Sequence, residues 1–201
     1  AYGRVARTVP ARAGLACAAL AVSLGRRRRL SAEVTWYVAR TTGLLGWALL
    51  AVAVVWGLLL SSRVLERRPS PAWLLDLHRH LGNLTLVLTL LHVGAIWIDD
   101  FVRYTAADLF VPFARDSDRV EVALGVVALW LLVVVQVSSW LRRRIDATRW
   151  RRLHLLSAPL VVVAGMHGWM LGTDVTNPIV ATIAIVLGAE IMLLVALRVR
   201  Y

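Results

Sequence analysis

The stretch His78-Arg-His-Leu-Gly-Asn-Leu-Thr-Leu-Val-Leu-Thr-Leu-Leu-His92 decides the fold of this 201-residue chain. It is mostly apolar, and the two histidines at its ends lie fourteen residues apart. A second apolar stretch, from His154 to His167, repeats the arrangement with a spacing of thirteen. Either spacing covers roughly 20 Å of helix, whereas the hydrocarbon core of a bilayer is about 30 Å thick. Each stretch therefore predicts a membrane-spanning helix that offers one imidazole to each leaflet.

The composition also indicates a membrane protein. Apolar residues make up 59% of the chain, well above the usual globular mix. The net charge of +11 would suggest a nucleic-acid partner in a soluble protein. Here the arginines cluster in short segments between apolar runs, which is the pattern of membrane topology. We therefore expect contact with membrane lipid and none with nucleic acid.

The apolar runs predict an all-α, polytopic membrane helical bundle with five clear spanning helices. The first, third and fourth are predicted at about 36–60, 120–141 and 149–172. The second follows Ser70-Pro71 and ends near Asp99, and the fifth opens at Asn177-Pro178. A capping polar residue followed by proline is a common helix start. The connection 99–118 contains an aromatic and apolar segment, Tyr104–Phe113, which suggests a short helix on the outer surface.

Basic residues predict the orientation of the bundle. The connections 141–152 and 63–68 and the C-terminal tail are basic, whereas the connections 99–118 and 172–177 are acidic or nearly neutral. The positive-inside rule places the basic loops and the C-terminus in the cytoplasm. One run disagrees, because Arg26–Arg29 precede a helix that should start outside. The N-terminal segment is signal-like, interfacial or a sixth short helix, and these alternatives stay open.

The histidines indicate haem ligation. A lone histidine in a membrane helix usually bonds to a neighbouring helix or lines a proton path. Four of five histidines on two helices at near-equal spacing instead indicate two stacked haems, each with two axial imidazoles. The second and fourth spans run parallel, so the inner haem should lie between His78 and His154. The outer haem should lie between His92 and His167.

The spacing of His154 and His167 does not place both side chains on one face of an ideal helix. Thirteen residues leave His154 and His167 about 140° apart around an ideal helix. The fourth span is therefore either distorted, with Pro159 as the kink site, or its histidines approach the haems from different sides. His80 faces nearly the opposite side of its helix from His78 and is not expected to be a ligand.

Charged residues near these histidines are further candidates. Arg40 lies toward the outer face, and Arg79 and Arg151 lie toward the inner face. Haem propionates are carboxylates, which favour bidentate arginine partners. The alternative is that these arginines extend to the membrane interface. Glu190, an acid within the fifth span, is either functional or paired with a basic residue near the inner face.

Other cofactor chemistry finds no support in the sequence. Cys17 is the only cysteine, which excludes a cysteine-ligated iron–sulfur cluster and a C-x-x-C-H haem attachment site. No glycine-rich phosphate loop or dinucleotide fingerprint is present, so no flavin or nicotinamide site is visible. Electrons must then come from a separate donor, either a flavoprotein or a quinol.

With these residues placed, the chain resembles the ferric reductase-like transmembrane domain family over roughly residues 34–175. The closest similarity is to small bacterial members without a fused flavoprotein domain. The resemblance implies two b-type haems ligated by the four histidines, and a bacterial inner-membrane location. The motifs that carry it are Trp36–Gly43, Leu77–Arg79, Leu91–Val93, Trp150–His154, Met166–Gly168 and Gly172–Asp174.

The sequence thus predicts an arginine-rich segment, residues 1–33, followed by a haem-binding transmembrane bundle, residues 34–201. The expected function is electron transfer from a cytoplasmic or membrane donor to an extracytoplasmic acceptor, as the haem subunit of an oxidoreductase. One alternative is a non-redox membrane protein whose histidines relay protons or bind a transported metal. Another is a quinol-oxidising cytochrome b subunit.

Overall fold

The computed structural model describes residues 11–61, 72–99, 102–172 and 176–200. Within these ranges the regular structure is entirely helical. In chain order the helices are α1 (Ala11–Ser61), α2 (Ala72–Ile98), α3 (Ala106–Phe110), α4 (Arg119–Trp140), α5 (Ala147–His154), α6 (Ser157–Leu171) and α7 (Pro178–Arg200).

Five segments of the described chain are long and apolar enough to cross a membrane. Their positions match the five predicted spans, and the predicted all-α polytopic bundle is confirmed. At the start of the fifth span, the Asn177 side chain accepts a hydrogen bond from the Ile179 N–H, as its predicted capping role requires. The predicted Ser70-Pro71 cap lies outside the described residues. The spans are Ala32–Ser61, Ala72–Ile98, Arg119–Trp140, Ala147–Leu171 and Pro178–Ala196.

The first helix begins much earlier than predicted. α1 starts at Ala11 rather than near Trp36 and continues unbroken to Ser61. The arginine run Arg26–Arg29 does not end the helix, because arginine has a high helix propensity and no proline interrupts the segment. The expected boundary between residues 33 and 34 therefore falls inside α1. The signal-like, interfacial and sixth-helix interpretations of residues 1–33 stay predictions.

The fourth span is distorted, which is one of the two alternatives that the spacing of His154 and His167 left open. α5 ends at His154 and α6 begins at Ser157. Pro159 has no N–H to donate to the Leu155 carbonyl, and that carbonyl instead accepts from Ala158, three residues on. The resulting turn at residues 155–156 separates His154 from His167, so the two side chains do not share one ideal helix.

The core lies where three helices cross. α1, α4 and α6 bury a common apolar cluster, and α2 and α7 pack against the outside of it. α7 has no buried residue in its spanning window, so its apolar surface faces outward, as expected for a helix in lipid. The cluster consists of Leu50, Ala51, Val54, Ala128, Leu132, Leu160 and Val161.

The connection between α2 and α4 contains the short helix that the sequence suggested. The Thr105 hydroxyl caps α3, and the Asp108 carboxylate accepts a bond from the Thr105 N–H at 2.8 Å. This backbone bond holds the pKa of Asp108 below its usual value. The Trp130 indole of α4 donates to the Phe110 oxygen at 2.9 Å, and the Trp97 ring of α2 contacts the Phe110 ring. The connection is thereby attached to the end of α2 and to the middle of α4.

Candidate cofactor site

Three of the four paired histidines donate a hydrogen bond from Nδ1 to a backbone carbonyl of another helix. The distances are 2.7 Å from His92 to Ala39, 3.1 Å from His78 to Ala53 and 2.7 Å from His167 to Glu121. Because a carbonyl oxygen can only accept, each ring carries its proton on Nδ1 and leaves the Nε2 lone pair free. A second-shell bond of this kind orients an imidazole and raises its basicity as a metal ligand.

Four residues after each residue that supplies one of these carbonyls, on the same helix face, there is a glycine. The pairs are Ala39 with Gly43, Ala53 with Gly57, and Glu121 with Gly125. Each imidazole lies where the glycine side chain would otherwise begin. An added Cβ would lie 2.6 Å from His167 Cε1 at Gly125, 2.9 Å from His92 Nδ1 at Gly43, and 3.2 Å from His78 Cε1 at Gly57. Glycine is therefore what allows the rings to reach the helix backbone.

The sequence analysis did not identify these glycines. Gly43 and Gly57 are fourteen residues apart, the spacing of His78 and His92. Two antiparallel helices in contact along their length place a pair of glycines on one helix opposite an equally spaced pair of histidines on the other. The matching spacing was therefore a signal present in the sequence. Gly125 has no second glycine at a matching distance in α4, and only the fold assigns it.

The fourth histidine is held differently. His154 Nδ1 lies 3.3 Å from the Ser139 Oγ, and that oxygen lies 2.7 Å from the Val135 carbonyl. The hydroxyl has one proton, which it donates to the carbonyl, so it accepts from the imidazole. Nε2 of His154 is then also free. Ser139 was not singled out from the sequence.

The structure brings the four histidines together in the pairs that the parallel-helix argument predicts. The ring centroids of His78 and His154 are 5.9 Å apart, with an angle of 72° between the ring planes. Those of His92 and His167 are 6.4 Å apart, at 83°. Metal–imidazole bonds are about 2 Å long, so either gap has room for one metal ion between two ring nitrogens. The role of the histidines as ligands stays a prediction.

Each pair supplies two ligands and no more. Among the described residues, no group of three or more His, Cys, Asp or Glu side chains could hold a metal ion. A metal ion bound only by protein normally needs four or more ligands. A planar tetrapyrrole provides four equatorial nitrogens and needs only two axial ones. The donor set of each pair therefore fits a haem better than a bare metal ion.

The predicted arginines are arranged less favourably. Arg79 forms an exposed ion pair with Asp76 at 3.2 Å, and the Arg151 side chain is exposed. The Arg40 guanidinium lies over the Trp36 ring, 4.6 Å from its centroid. The role of these arginines toward a haem propionate stays a prediction.

Two other polar candidates are also exposed. His80 is exposed, in agreement with its exclusion as a ligand. Glu190 is exposed on α7, and no bond to it is seen within the described chain. The side chains of Arg198 and Arg200 lie outside the described ones, so the pairing of Glu190 near the inner face stays a prediction.

A stack of side chains that the sequence analysis missed covers His154. The Trp150 indole lies 5.1 Å from the His154 ring, with 23° between the planes. The Arg142 guanidinium carbon lies 4.5 Å from the centroid of the Trp150 ring, on its face. Trp150 and His154 are four residues apart in α5, a spacing at which helix side chains meet. The ring contact was thus readable from the sequence, whereas the position of Arg142 depends on the loop before α5.

Comparison with known families agrees with this arrangement. The profile of the family described as ferric reductase like transmembrane component matches residues 42–165. The chain belongs to this family. The matched region contains all three glycines that lie against histidines and three of the four paired histidines. His167 lies two residues beyond its end.

This ferric reductase-like chain is also similar to a curated relative. It is 28% identical over 154 residues to the protein-methionine-sulfoxide reductase heme-binding subunit MsrQ of Xanthomonas campestris pv. campestris (strain B100). The alignment includes 74% of this chain and 65% of the relative, so the chain spans about two thirds of that protein's length. No solved structure matches the chain.

Proposed function

We propose that this chain binds two b-type haems, at His78 with His154 and at His92 with His167, and transfers electrons across a membrane. The observation that carries the proposal is that four imidazoles face each other in two pairs with every Nδ1 engaged. The curated relative is named a heme-binding subunit, which supports haem as the cofactor. Haem held by these histidine pairs would supply reversible one-electron chemistry, and ligation by two histidines favours electron transfer over oxygen binding.

The residues of this chain hold the imidazoles and tune them. Carbonyls of α1 and α4 fix three rings, and a glycine beside each leaves space for the ring edge. These bonds preset the tautomer, so no proton has to move when Nε2 binds a metal ion. His154, bonded to a hydroxyl instead of a carbonyl, should be the less basic ligand of its pair. The two sites therefore differ in the protein groups that set their potentials.

The separation of the sites suits transfer across a bilayer. His78 and His92 lie fourteen residues apart on a continuous α2, or about 21 Å along the helix axis. The hydrocarbon core is about 30 Å thick, so one site lies in each leaflet. Electrons can then pass from an inner donor to an outer acceptor through two steps within one chain.

The proton-relay alternative is not favoured by the same geometry. A relay needs both ring nitrogens to exchange protons with groups that can donate and accept. In three of the rings Nδ1 is bonded to a carbonyl, which cannot return a proton. These rings are arranged as fixed ligands.

We further propose a bacterial inner-membrane location with the C-terminus in the cytoplasm. The donor, a flavoprotein or a quinol, is separate from this chain, and the acceptor is extracytoplasmic. In this arrangement residues 34–201 bind the haems, and residues 1–33 form an N-terminal segment with a separate function. The helix α1 nevertheless continues from one segment into the other.

The orientation can be tested by labelling. In a Cys17→Ser background, Arg143→Cys and Ala114→Cys each place one exposed thiol in a connecting loop. The basic loop that contains Arg143 should be cytoplasmic. An impermeant thiol reagent on intact cells should therefore label only the Ala114→Cys variant. Labelling of the Arg143→Cys variant alone would reverse the proposed direction of electron flow.

Electron transfer itself can be tested in sealed vesicles. The haem-loaded protein is placed in vesicles with dithionite inside and ferricyanide outside, and an ionophore removes the membrane potential. These vesicles should reduce ferricyanide much faster than protein-free vesicles. The His80→Ala variant should match the wild type, because His80 is exposed and outside both pairs. Haem that is reduced by dithionite without any loss of external ferricyanide would contradict the proposed function.

A further inference from the structure

The Trp150 indole has a hydrogen-bond donor that no described residue accepts. Its Nε1 is buried and has no partner among the described residues, whereas four other indoles there donate to an oxygen. A buried N–H without an acceptor is costly, and tryptophan usually finds a partner when buried. An acceptor absent from the structure is therefore expected at Trp150. The four bonded indoles are Trp47 to Val161, Trp56 to Leu74, Trp130 to Phe110, and Trp140 to Asn83.

A positive charge beside this indole offers hydrogen-bond donors as well. The Arg142 guanidinium lies on the face of the Trp150 ring, and no ion pair of Arg142 is seen among the described residues. Arginine is always charged and presents five N–H donors. Together, Trp150 and Arg142 offer a neutral donor and a cationic fork within a few ångströms of each other. That combination fits a carboxylate.

Both residues lie at the polar end of the inner histidine pair. Trp150 is in the first turns of α5, directly after the loop 141–146 that carries Arg142, and its ring stacks on His154. An amphiphilic ligand at His154 would direct its acidic groups toward this loop, because the other direction is the apolar interior of the bundle. Of the arginines at this end, Arg142 is the one seen against the Trp150 ring, whereas Arg79 is paired with Asp76.

We propose that the Trp150 N–H and the Arg142 guanidinium bind a propionate carboxylate of the haem held by His78 and His154. This proposal rests on the proposed function, because it assumes haem at the inner pair. It assigns Trp150 two contacts at once: the ring face packs on the ligand imidazole, and the ring nitrogen binds the acidic edge of the cofactor. Arg142 provides the charge that makes the bond selective for an ionised group.

The test compares haem with its dimethyl ester, in which both carboxylates are blocked. The apoprotein carries His92→Ala or, independently, His167→Ala, so that only the inner pair remains. Binding of each compound is measured by optical titration. Hydrogen bonds to charged groups are strong enough that the ester should bind about tenfold to a hundredfold more weakly than haem. Trp150→Phe, which keeps the stacked ring but lacks the N–H, and Arg142→Gln should each reduce this ratio.

The matched control is Trp140→Phe, which removes an indole N–H that already has a partner in Asn83. It should leave the ratio unchanged. Equal binding of haem and the ester in the parent protein, or an unchanged ratio in Trp150→Phe, would overturn the carboxylate site while leaving haem ligation intact. Failure of both compounds to bind in either background would instead contradict the proposed function.

Discussion

Replacing either His78 or His154 with alanine is expected to abolish the low-spin signal of the same haem and to leave the other haem unchanged. The two rings face each other across 5.9 Å, so each variant removes one axial ligand from a single site. The double variant should lose no more than either single variant. Optical and electron paramagnetic resonance spectra of the purified proteins measure this directly.

His80→Ala is the matched control for that experiment. It lies on the same helix two residues from His78, is exposed, and should keep both signals. If the single variants lose different haems, so that the double variant loses both, the pairing across α2 and α5 is wrong.

Gly125→Ala is expected to disrupt the outer haem as severely as loss of a ligand. The added Cβ would lie 2.6 Å from His167 Cε1 and 2.8 Å from Nδ1, distances that real contacts do not show. The ring would have to leave the Glu121 carbonyl, or α4 and α6 would have to separate. The signal of the outer haem should fall while that of the inner haem is retained. Gly43→Ala, with its closest contact at 2.9 Å from His92, should act on the same haem less strongly.

Gly168→Ala separates this effect from a general change in the helix. Gly168 is next to His167, and an added Cβ there meets no atom within 4 Å. Alanine in a helix interior is favoured over glycine by about 0.5–1 kcal/mol, so this variant should be at least as stable as the wild type. Normal spectra for Gly125→Ala, or equal damage from Gly168→Ala, would show that the glycine does not make space for the histidine.

Much of this architecture could be predicted from the sequence, because it depends on length and spacing. Apolar runs of sufficient length gave the five spans, and the parallel direction of the second and fourth gave the histidine pairs. A distortion of the fourth span at Pro159 was one of the two alternatives that the histidine spacing left open, and the turn lies at residues 155–156. A proline affects the carbonyl four residues before it, so the break appears upstream.

Other features could not be predicted because they depend on which helix faces which. The carbonyl of Glu121 and the open space at Gly125 matter only because α6 lies against that face of α4. The start of α1 at Ala11 was missed because a charge run such as Arg26–Arg29 suggests a membrane boundary without breaking a helix. The ion pair of Arg79 with Asp76 was not predicted, although their local spacing already allowed it. The role of Arg79 toward a haem propionate stays a prediction.

The central claim is that this chain holds two haems between four histidines, and the haem content of the purified protein tests it most directly. The protein is reconstituted with excess haem, and unbound haem is removed. A pyridine haemochrome assay then measures the amount of b haem, and quantitative amino-acid analysis measures the amount of protein. Their ratio is the number of b haems per chain. The account predicts two, both low-spin. One haem per chain, or none, would contradict it.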